Sequence, residues 1–159
     1  MFYLQKDNIR LMPAFPNQND IFNYQEIRHL GEARLMENFE GNILRFNIER
    51  KGETMGEILL HNIKWLNRKA MLTVFIWPPF QGQGIGRTAS EILLDFSFRV
   101  MNLVRIEAEV VQGNEASLRL IRSLGFVEEG RLRKAKYIEG QYYDIFVFGL
   151  LKEEWDQKI

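Results

Sequence analysis

The chain reads Gln81-Gly82-Gln83-Gly84-Ile85-Gly86 between a stretch rich in strand formers, Met71 to Trp77, and a stretch with apolar residues at helical spacing, Arg87 to Val100. A strand, a glycine turn and a helix are therefore predicted to follow one another. Because glycine lacks a Cβ, the three glycines of this turn let the chain curl with its N–H groups inward and let a ligand approach closely. The free amides and the positive dipole end of the following helix favour a phosphate or pyrophosphate there.

Two common phosphate-binding motifs do not fit this turn. A dinucleotide-binding fold requires a third glycine where this chain has Arg87, and its strand, loop and helix begin the domain. A P-loop requires a lysine before Ser or Thr, whereas this chain has Gly86-Arg87-Thr88. A module that binds ATP or GTP with the glycine turn stays an alternative, and it predicts magnesium-dependent nucleotide binding.

The composition indicates one domain over residues 1–159 with a sizeable core, since the chain is 46% hydrophobic and has twelve Phe. Lys plus Arg and Asp plus Glu both number 21, and this zero net charge argues against nonspecific binding to nucleic acid or membranes. The chain has no cysteine, which excludes disulfides, thiolate metal sites and a cysteine nucleophile. The two histidines, His29 and His61, do not suffice for a His-rich metal site.

Targeting signals are not evident in the sequence. The apolar run at the amino terminus is too short for a signal peptide, and no stretch approaches the roughly eighteen apolar residues of a membrane span. A cytoplasmic location is therefore expected.

The first half of the chain predicts short strands and one helix. Residues 8–12 alternate like a strand, and residues 13–19 read as a turn before a helix from Asp20, a good cap, to about Leu30. Residues 31–41 show no clear period. Alternation over 43–49 and 55–63, around the turn Lys51-Gly52-Glu53, predicts a hairpin, and a further turn at 65–69 leads into the strand 71–77. The result is an antiparallel meander of three strands ahead of the glycine turn.

The chain after the glycine turn predicts a helix and a further strand. Pro78-Pro79 ends the preceding strand because neither residue can donate to a ladder. The helix has one core-facing stripe, formed by Ile85, Ala89, Ile92, Leu93, Phe96 and Val100. Asn102 ends it, and the strand 103–111 has polar and apolar faces. The polar face has Arg105, Glu107 and Glu109, and the apolar face has Val104, Ile106, Ala108 and Val110.

A second helix is predicted over residues 115–124. Asn114 is a favourable N-cap, and Gly125 stands where a glycine often ends a helix.

Three motifs together resemble the GCN5-related N-acetyltransferase (GNAT) superfamily. Its pyrophosphate loop has Gln or Arg, two residues, Gly, one residue, then Gly or Ala, and Gln81, Gly84 and Gly86 fill that pattern. The run from Asn114-Glu115-Ala116-Ser117 to Leu124-Gly125-Phe126 resembles a second family signature. The tail from Glu129 to Leu151 is similar to that of the ribosomal-protein-alanine N-acetyltransferases (RimJ/RimL-like). The resemblance is good over residues 70–155 and weak before them.

The resemblance implies an α/β acyl-CoA N-acyltransferase fold: a mixed, mostly antiparallel sheet of about seven strands flanked by helices, with the strands 71–77 and 103–110 splayed into a V. It implies acetyl-CoA as co-substrate and no metal. The pantetheine arm would lie against backbone near Ile76 and Trp77, and Asn114 would meet the pantetheine or the thiol unless it is a helix cap alone. The pyrophosphate would lie on Gln81, Gly82, Gln83, Gly84, Ile85, Gly86 and Arg87.

The resemblance further implies direct transfer of the acetyl group to a primary amine of a protein N-terminus, an amino sugar or a small molecule. Many relatives have a tyrosine seven residues after the asparagine as general acid, but this chain has Ile121. Ser117 matches the acid proposed for the ribosomal-protein subfamily, and Tyr137 is an alternative. That subfamily's carboxylate base is replaced by Lys136, which leaves Glu107 or Glu109 as candidate bases.

Two further points stay open. A non-catalytic acyl-CoA sensor or scaffold is the alternative to an enzyme, and the chain is expected to be a monomer or a homodimer. Phe146 and Phe148 on the tail strand are expected in the core rather than in a dimer interface. The basic run Arg131, Arg133, Lys134 and Lys136 argues weakly against a polyamine acceptor.

Overall fold

The computed structural model describes residues 3–14 and 42–157, which build one eight-stranded sheet with flanking helices. The strands are β1 (Leu4–Lys6), β2 (Ile9–Pro13), β3 (Leu44–Arg50), β4 (Glu53–Lys64), β5 (Lys69–Ile76), β6 (Arg105–Val111), β7 (Val127–Ile138) and β8 (Gln141–Leu151). The helices are α1 (Ile85–Asp95), α2 (Glu115–Ser123) and α3 (Lys152–Asp156). The predicted helix from Asp20 to about Leu30, most of the turn before it and the aperiodic stretch after it lie outside the described residues.

The sheet has the order β1-β2-β3-β4-β5-β6-β8-β7, and its pairs are antiparallel except β5 with β6. The parallel ladder joins Lys69 to Arg105, Ala70 to Ile106 and Met71 to Glu107. Both strands continue beyond these three pairs without pairing to each other, although every residue of both is described. The predicted V is therefore present, and it opens after Met71 and Glu107.

The meander β3-β4-β5 agrees with the prediction, as does the strand at residues 8–12. The strand β7 is not predicted separately from the tail, and β1 is not predicted at all, because its three residues are too few to show alternation. It extends the expected seven-stranded sheet by one edge strand.

The prediction that Val100 belongs to the core-facing stripe after the glycine turn is wrong, because this residue is 58% exposed. The α-helix ends at Asp95, and Phe96–Val100 form a π-helical turn that shifts the later residues away from the 3.6-residue period. The other five residues of the stripe are buried. Val104, predicted on the apolar face of the strand, is also exposed and lies one residue before β6 begins at Arg105.

The tail strand β8 lies between β6 and β7, and its side chains reach the core. Phe148 is buried and Phe146 packs partly buried against the same cluster, as expected for core residues. In the described part of the chain, no helix is both long and apolar enough to cross a membrane.

Candidate active site

The glycine loop starts where β5 ends. Pro78–Phe80 form a single 3₁₀ turn, and the Gln81 side chain returns to donate from Nε2 to the Ile76 carbonyl over 2.9 Å. The Trp77 N–H donates to the Met55 carbonyl over 3.0 Å, so this amide is directed at β4 and not at the V. Because backbone groups alternate in direction along a strand, the N–H groups of Val74 and Ile76 are the ones directed at the open side of β5.

The backbone conformation of this loop requires glycine at two positions. Gly82 and Gly84 have φ angles of 78° and 77°, in the left-handed region that side chains disfavour. Gly84 is the N-cap of α1, and a Cβ placed on either glycine would meet nothing within 4 Å. The first turn of α1 therefore begins beside open space, with the N–H groups that a helix cannot satisfy internally.

A groove of about 610 Å³ lies where the glycine loop, the end of β5 and the start of α2 meet. Of the residues predicted to hold a cofactor, the groove is lined by Ile76, Gln81, Gly82, Gly84, Ile85, Gly86, Arg87 and Asn114. Trp77 and Gln83 do not line it. The Gln83 side chain instead accepts a hydrogen bond from Arg50 Nη1 over 3.3 Å.

The start of α2 supplies the opposite wall of the groove. Asn114 caps the helix, since its Oδ1 accepts the Ser117 N–H, and Ser117 also lines the groove. Arg119, which was not predicted as a site residue, adds a positive charge to this wall. Arg119 lies three residues after Ala116, which also lines the groove. Residues three apart share one face of a helix, so this spacing is the sequence signal that points to Arg119.

Asp144 of β8 holds the loop before α2 in place. Its N–H donates to Gln112 Oε1 over 3.0 Å, and the Gln112 N–H donates to the Asp144 carbonyl over 2.9 Å. The Asp144 carboxylate accepts from the Lys134 N–H over 2.8 Å and from Arg131 Nε over 2.5 Å. These two hydrogen bonds, the backbone one first, lower the pKa of Asp144. The position of Asn114 therefore depends on β8 and β7 as well as on its own helix.

The two candidate carboxylate bases have different surroundings. Glu107, at the closed end of the V, pairs with Lys69 Nζ at 3.4 Å and with Arg105 Nη2 at 3.1 Å. Arg105 also binds Glu129 and thereby lowers the pKa of that carboxyl. Glu109, two residues further along β6, is exposed and lies beside the open part of the V. Neither carboxylate is among the residues that line the groove.

The two candidate acids are also separated. Ser117 lines the groove, whereas Tyr137 lies near the end of β7, 61% exposed. Its ring meets Tyr142 edge-on, with 5.2 Å between the centroids. The structure therefore brings the glycine loop, Asn114 and Ser117 together, and it leaves Tyr137 on the distal hairpin.

The chain is similar to known acetyltransferases over most of its length. Residues 4–127 match the family model described as "Acetyltransferase (GNAT) domain". A Bacillus subtilis protein named "Putative ribosomal N-acetyltransferase YdaF" is 36% identical over 66% of this chain and 57% of that relative. The spermidine N(1)-acetyltransferase of Escherichia coli (strain K12) is 28% identical over 87% of this chain and 78% of that relative.

Solved structures agree with these matches. A chimera of the spermidine N-acetyltransferase SpeG from Vibrio cholerae and hSSAT has a TM-score of 0.76 and 25% identity, covering 95% of this chain and 99% of that chain. The comparisons confirm the predicted resemblance and the predicted fold class.

Proposed function

Because this chain belongs to the GNAT acetyltransferase family, we propose that it transfers the acetyl group of acetyl-CoA directly to a primary amine at the groove between the glycine loop and α2. The observation that carries the proposal is the coincidence of three features at this groove: a glycine loop at a helix N-terminus, an unpaired strand edge and the capped start of α2. A single domain over residues 1–159 performs both binding and transfer in this proposal.

In the proposed complex, the pyrophosphate lies on residues 81–87, where free N–H groups and the dipole of α1 favour an anion. Arg119 adds positive charge at this groove, and Arg87 adds less, because its guanidinium is paired with Glu91 at 3.1 Å. The pantetheine arm lies along the open edge of β5 and bonds to backbone at Ile76 and Val74, as an added strand would. This placement modifies the sequence-based expectation at Trp77, since the Trp77 N–H is already bonded to β4.

The reaction needs a neutral amine, a thioester held within attack distance and a proton for the departing thiolate. Holding both reactants in one groove supplies several kcal/mol of the acceleration. Backbone N–H groups at the open edge of β5 stabilise the oxygen that becomes negative in the tetrahedral intermediate. The amine nitrogen forms a bond to the acetyl carbon, the carbon–sulfur bond breaks, and the sulfur takes a proton.

Ser117 is the proposed proton donor because it lines the groove at the start of α2. Tyr137 is a weaker candidate, since it lies on the exposed end of the β7–β8 hairpin. Among the carboxylates, Glu109 is a better proton acceptor than Glu107, whose charge is balanced by Lys69 and Arg105.

The acceptor is proposed to be a primary amine of a small molecule or of a protein N-terminus. The basic run on β7 repels a polyamine less than the sequence alone suggests, because the charge of Arg131 is paired with that of Asp144. Spermidine, glucosamine 6-phosphate and a tetrapeptide beginning with alanine therefore form the first acceptor panel.

Calorimetric titration with acetyl-CoA, with ATP and NADH as controls, tests the cofactor assignment. Selective binding of acetyl-CoA at micromolar strength is expected, followed by acetyl transfer to one of the three amines. Binding without transfer to any amine would favour the sensor alternative. Preferential binding of ATP with magnesium would contradict the proposal and favour the nucleotide alternative.

A further inference from the structure

His61 and Thr73 are joined by a hydrogen bond of 2.8 Å between His61 Nε2 and Thr73 Oγ1. They are diagonal neighbours on β4 and β5, because His61 is paired with Met71 and Thr73 with Leu59. Their buried strand neighbours, Leu60 and Leu72, belong to the core, so His61 and Thr73 lie on the opposite face of the sheet.

The position of Thr73 relative to the V gives this pair its significance. The ladder between β5 and β6 ends at Met71, and side chains alternate between faces. Thr73 is therefore the first β5 residue beyond the ladder on the same face as Met71. Thr73 itself does not line the groove, but it directly precedes Val74 and Phe75 on β5, which do, and its hydroxyl lies one strand away from His61.

The surroundings of His61 favour a neutral imidazole. The ring is half-buried, and this burial lowers the pKa of His61, while the charge of Glu109 partly opposes the effect. Five other charged side chains on β3, β4, β5 and β6 are paired with one another: Glu57 with Arg45 at 3.1 Å, and Glu107 with both Lys69 and Arg105. Glu109 is thus the charge to which His61 responds.

We propose that Thr73 and His61 form a relay that removes the proton of the acceptor ammonium before the amine attacks the thioester. The proposal rests on the acetyl transfer proposed above. The ammonium gives one proton to Thr73 Oγ1 while the threonine hydroxyl gives its own proton to His61 Nε2, in the tautomer with a proton on Nδ1. The amine lone pair then forms the C–N bond, the C–S bond breaks, and the departing sulfur takes up a proton as the new amide nitrogen loses its second one. His61 finally returns its proton to solvent.

An imidazole suits this task better than the two carboxylates first considered. A proton acceptor is most efficient when its pKa lies near the working pH, and histidine, at roughly 6.5 before any shift, is closer than glutamate at roughly 4.3. Glu109 stabilises the imidazolium through its charge. Glu107 is held in ion pairs at the closed end of the V.

The pH dependence of kcat/KM tests the relay, with the best acceptor among spermidine, glucosamine 6-phosphate and the alanine tetrapeptide. The wild-type rate is expected to fall with decreasing pH as one group, His61, is protonated. His61→Gln and Thr73→Val should each reduce kcat/KM by about 100-fold or more and remove that acidic limb. Thr73→Ser keeps the hydroxyl and is the matched control, expected to retain both the limb and most of the rate.

Two other readouts separate the relay from a structural role. The His61 C2–H resonance, assigned by its loss in His61→Gln, should titrate below pH 6.5 in the wild type. Acetyl-CoA affinity should be unchanged in both variants. Retention of the acidic limb by His61→Gln or Thr73→Val would overturn the relay, whereas failure of the wild type to bind acetyl-CoA would overturn the proposed function itself.

Discussion

The side chain of Asn114 accepts the backbone N–H of Ser117 at 3.2 Å, so the predicted cofactor ligand and the predicted acid share one hydrogen bond. The bond uses only Oδ1 of Asn114, and the side-chain NH₂ group donates to none of the described residues, so both of its protons are available to a ligand. Helix capping and cofactor binding are therefore compatible roles for this residue, and different substitutions separate them.

Asn114→Ala should lower the free energy of unfolding by about 1 kcal/mol, because α2 loses its cap. Asn114→Ser should keep the cap and the stability but lose the amide donor. Urea unfolding and acetyl-CoA titration of both variants measure the two effects. Weaker acetyl-CoA binding by Asn114→Ser is expected, and wild-type affinity in that variant would make Asn114 a helix cap alone.

Gly84→Gln should abolish acetyl-CoA binding while the fold survives. The new side chain meets no atom within 4 Å of its Cβ but enters the space assigned to the pyrophosphate, and a φ of 77° costs about 1–2 kcal/mol for a non-glycine residue. Gly52→Gln is the matched control, since Gly52 has a φ of 80° and equally open surroundings in the β3–β4 turn. Calorimetry and urea unfolding should show similar stability losses but a binding defect only at Gly84. Equal affinity in the two variants would refute the assigned loop.

Asp144→Asn should destabilise the protein at neutral pH and flatten the acid side of its stability profile. The pKa of Asp144 is lowered in the folded state, so its stabilisation is complete above the ordinary carboxyl pKa of about 3.9 and is lost as pH falls through the folded value. Urea midpoints between pH 7 and pH 2 measure this. Glu139→Gln, in the turn between β7 and β8, is the control and should follow the wild-type curve. If the urea midpoints of Asp144→Asn and the wild type differ by the same amount at every pH, the lowered pKa assigned to Asp144 is contradicted.

Glu109→Gln should lower the pKa of His61 further, because the charge that opposes the effect of burial is gone. The acidic limb of the rate profile should shift to lower pH with it. Glu107→Gln should leave that limb in place and instead reduce stability, since Lys69 and Arg105 lose a partner. NMR titration of His61 and the pH–rate profiles of Glu109→Gln and Glu107→Gln test these two expectations. A large rate loss in Glu109→Gln with an unmoved His61 pKa would make Glu109 the base.

His61 also affects stability. Its pKa is lowered on folding, so the unfolded chain binds the proton more tightly and stability falls as pH drops below about 6.5 toward the folded pKa. His61→Gln should remove this part of the pH dependence. Urea unfolding at pH 7.5 and pH 5 measures this effect. If the free energy of unfolding changes as much between these pH values in the variant as in the wild type, the titrating group lies elsewhere.

Much of the fold could be predicted because each signal was local. Alternation identified the β3–β4 hairpin, two prolines ended β5, and Asn114 marked the start of α2. Val100 was misplaced because a π-helical turn changes the residue period without any marker in the sequence. The spacing of Gln81, Gly84 and Gly86 predicts the glycine loop. The loop lines the groove because Gly82 and Gly84 adopt the left-handed backbone that its turn needs.

The His61–Thr73 pair could not be predicted in this way. Its members are twelve residues apart and meet only through the register of β4 with β5, and that register shifts between His61 and Lys64. A displacement of one residue would place Thr73 on the other face of the sheet. Long-range pairing of this kind is not encoded in any local period.

The short parallel ladder between β5 and β6 also bears on how the protein survives in a cell. An interior strand that runs partly unpaired behaves as an edge, and we expect its unpaired amides to exchange with solvent more readily than those of its neighbours. Under the proposed binding mode, acetyl-CoA closes this gap and stabilises the folded chain by about 2.7 kcal/mol at a hundredfold excess over its Kd. The lifetime of the protein would then follow the supply of its own co-substrate.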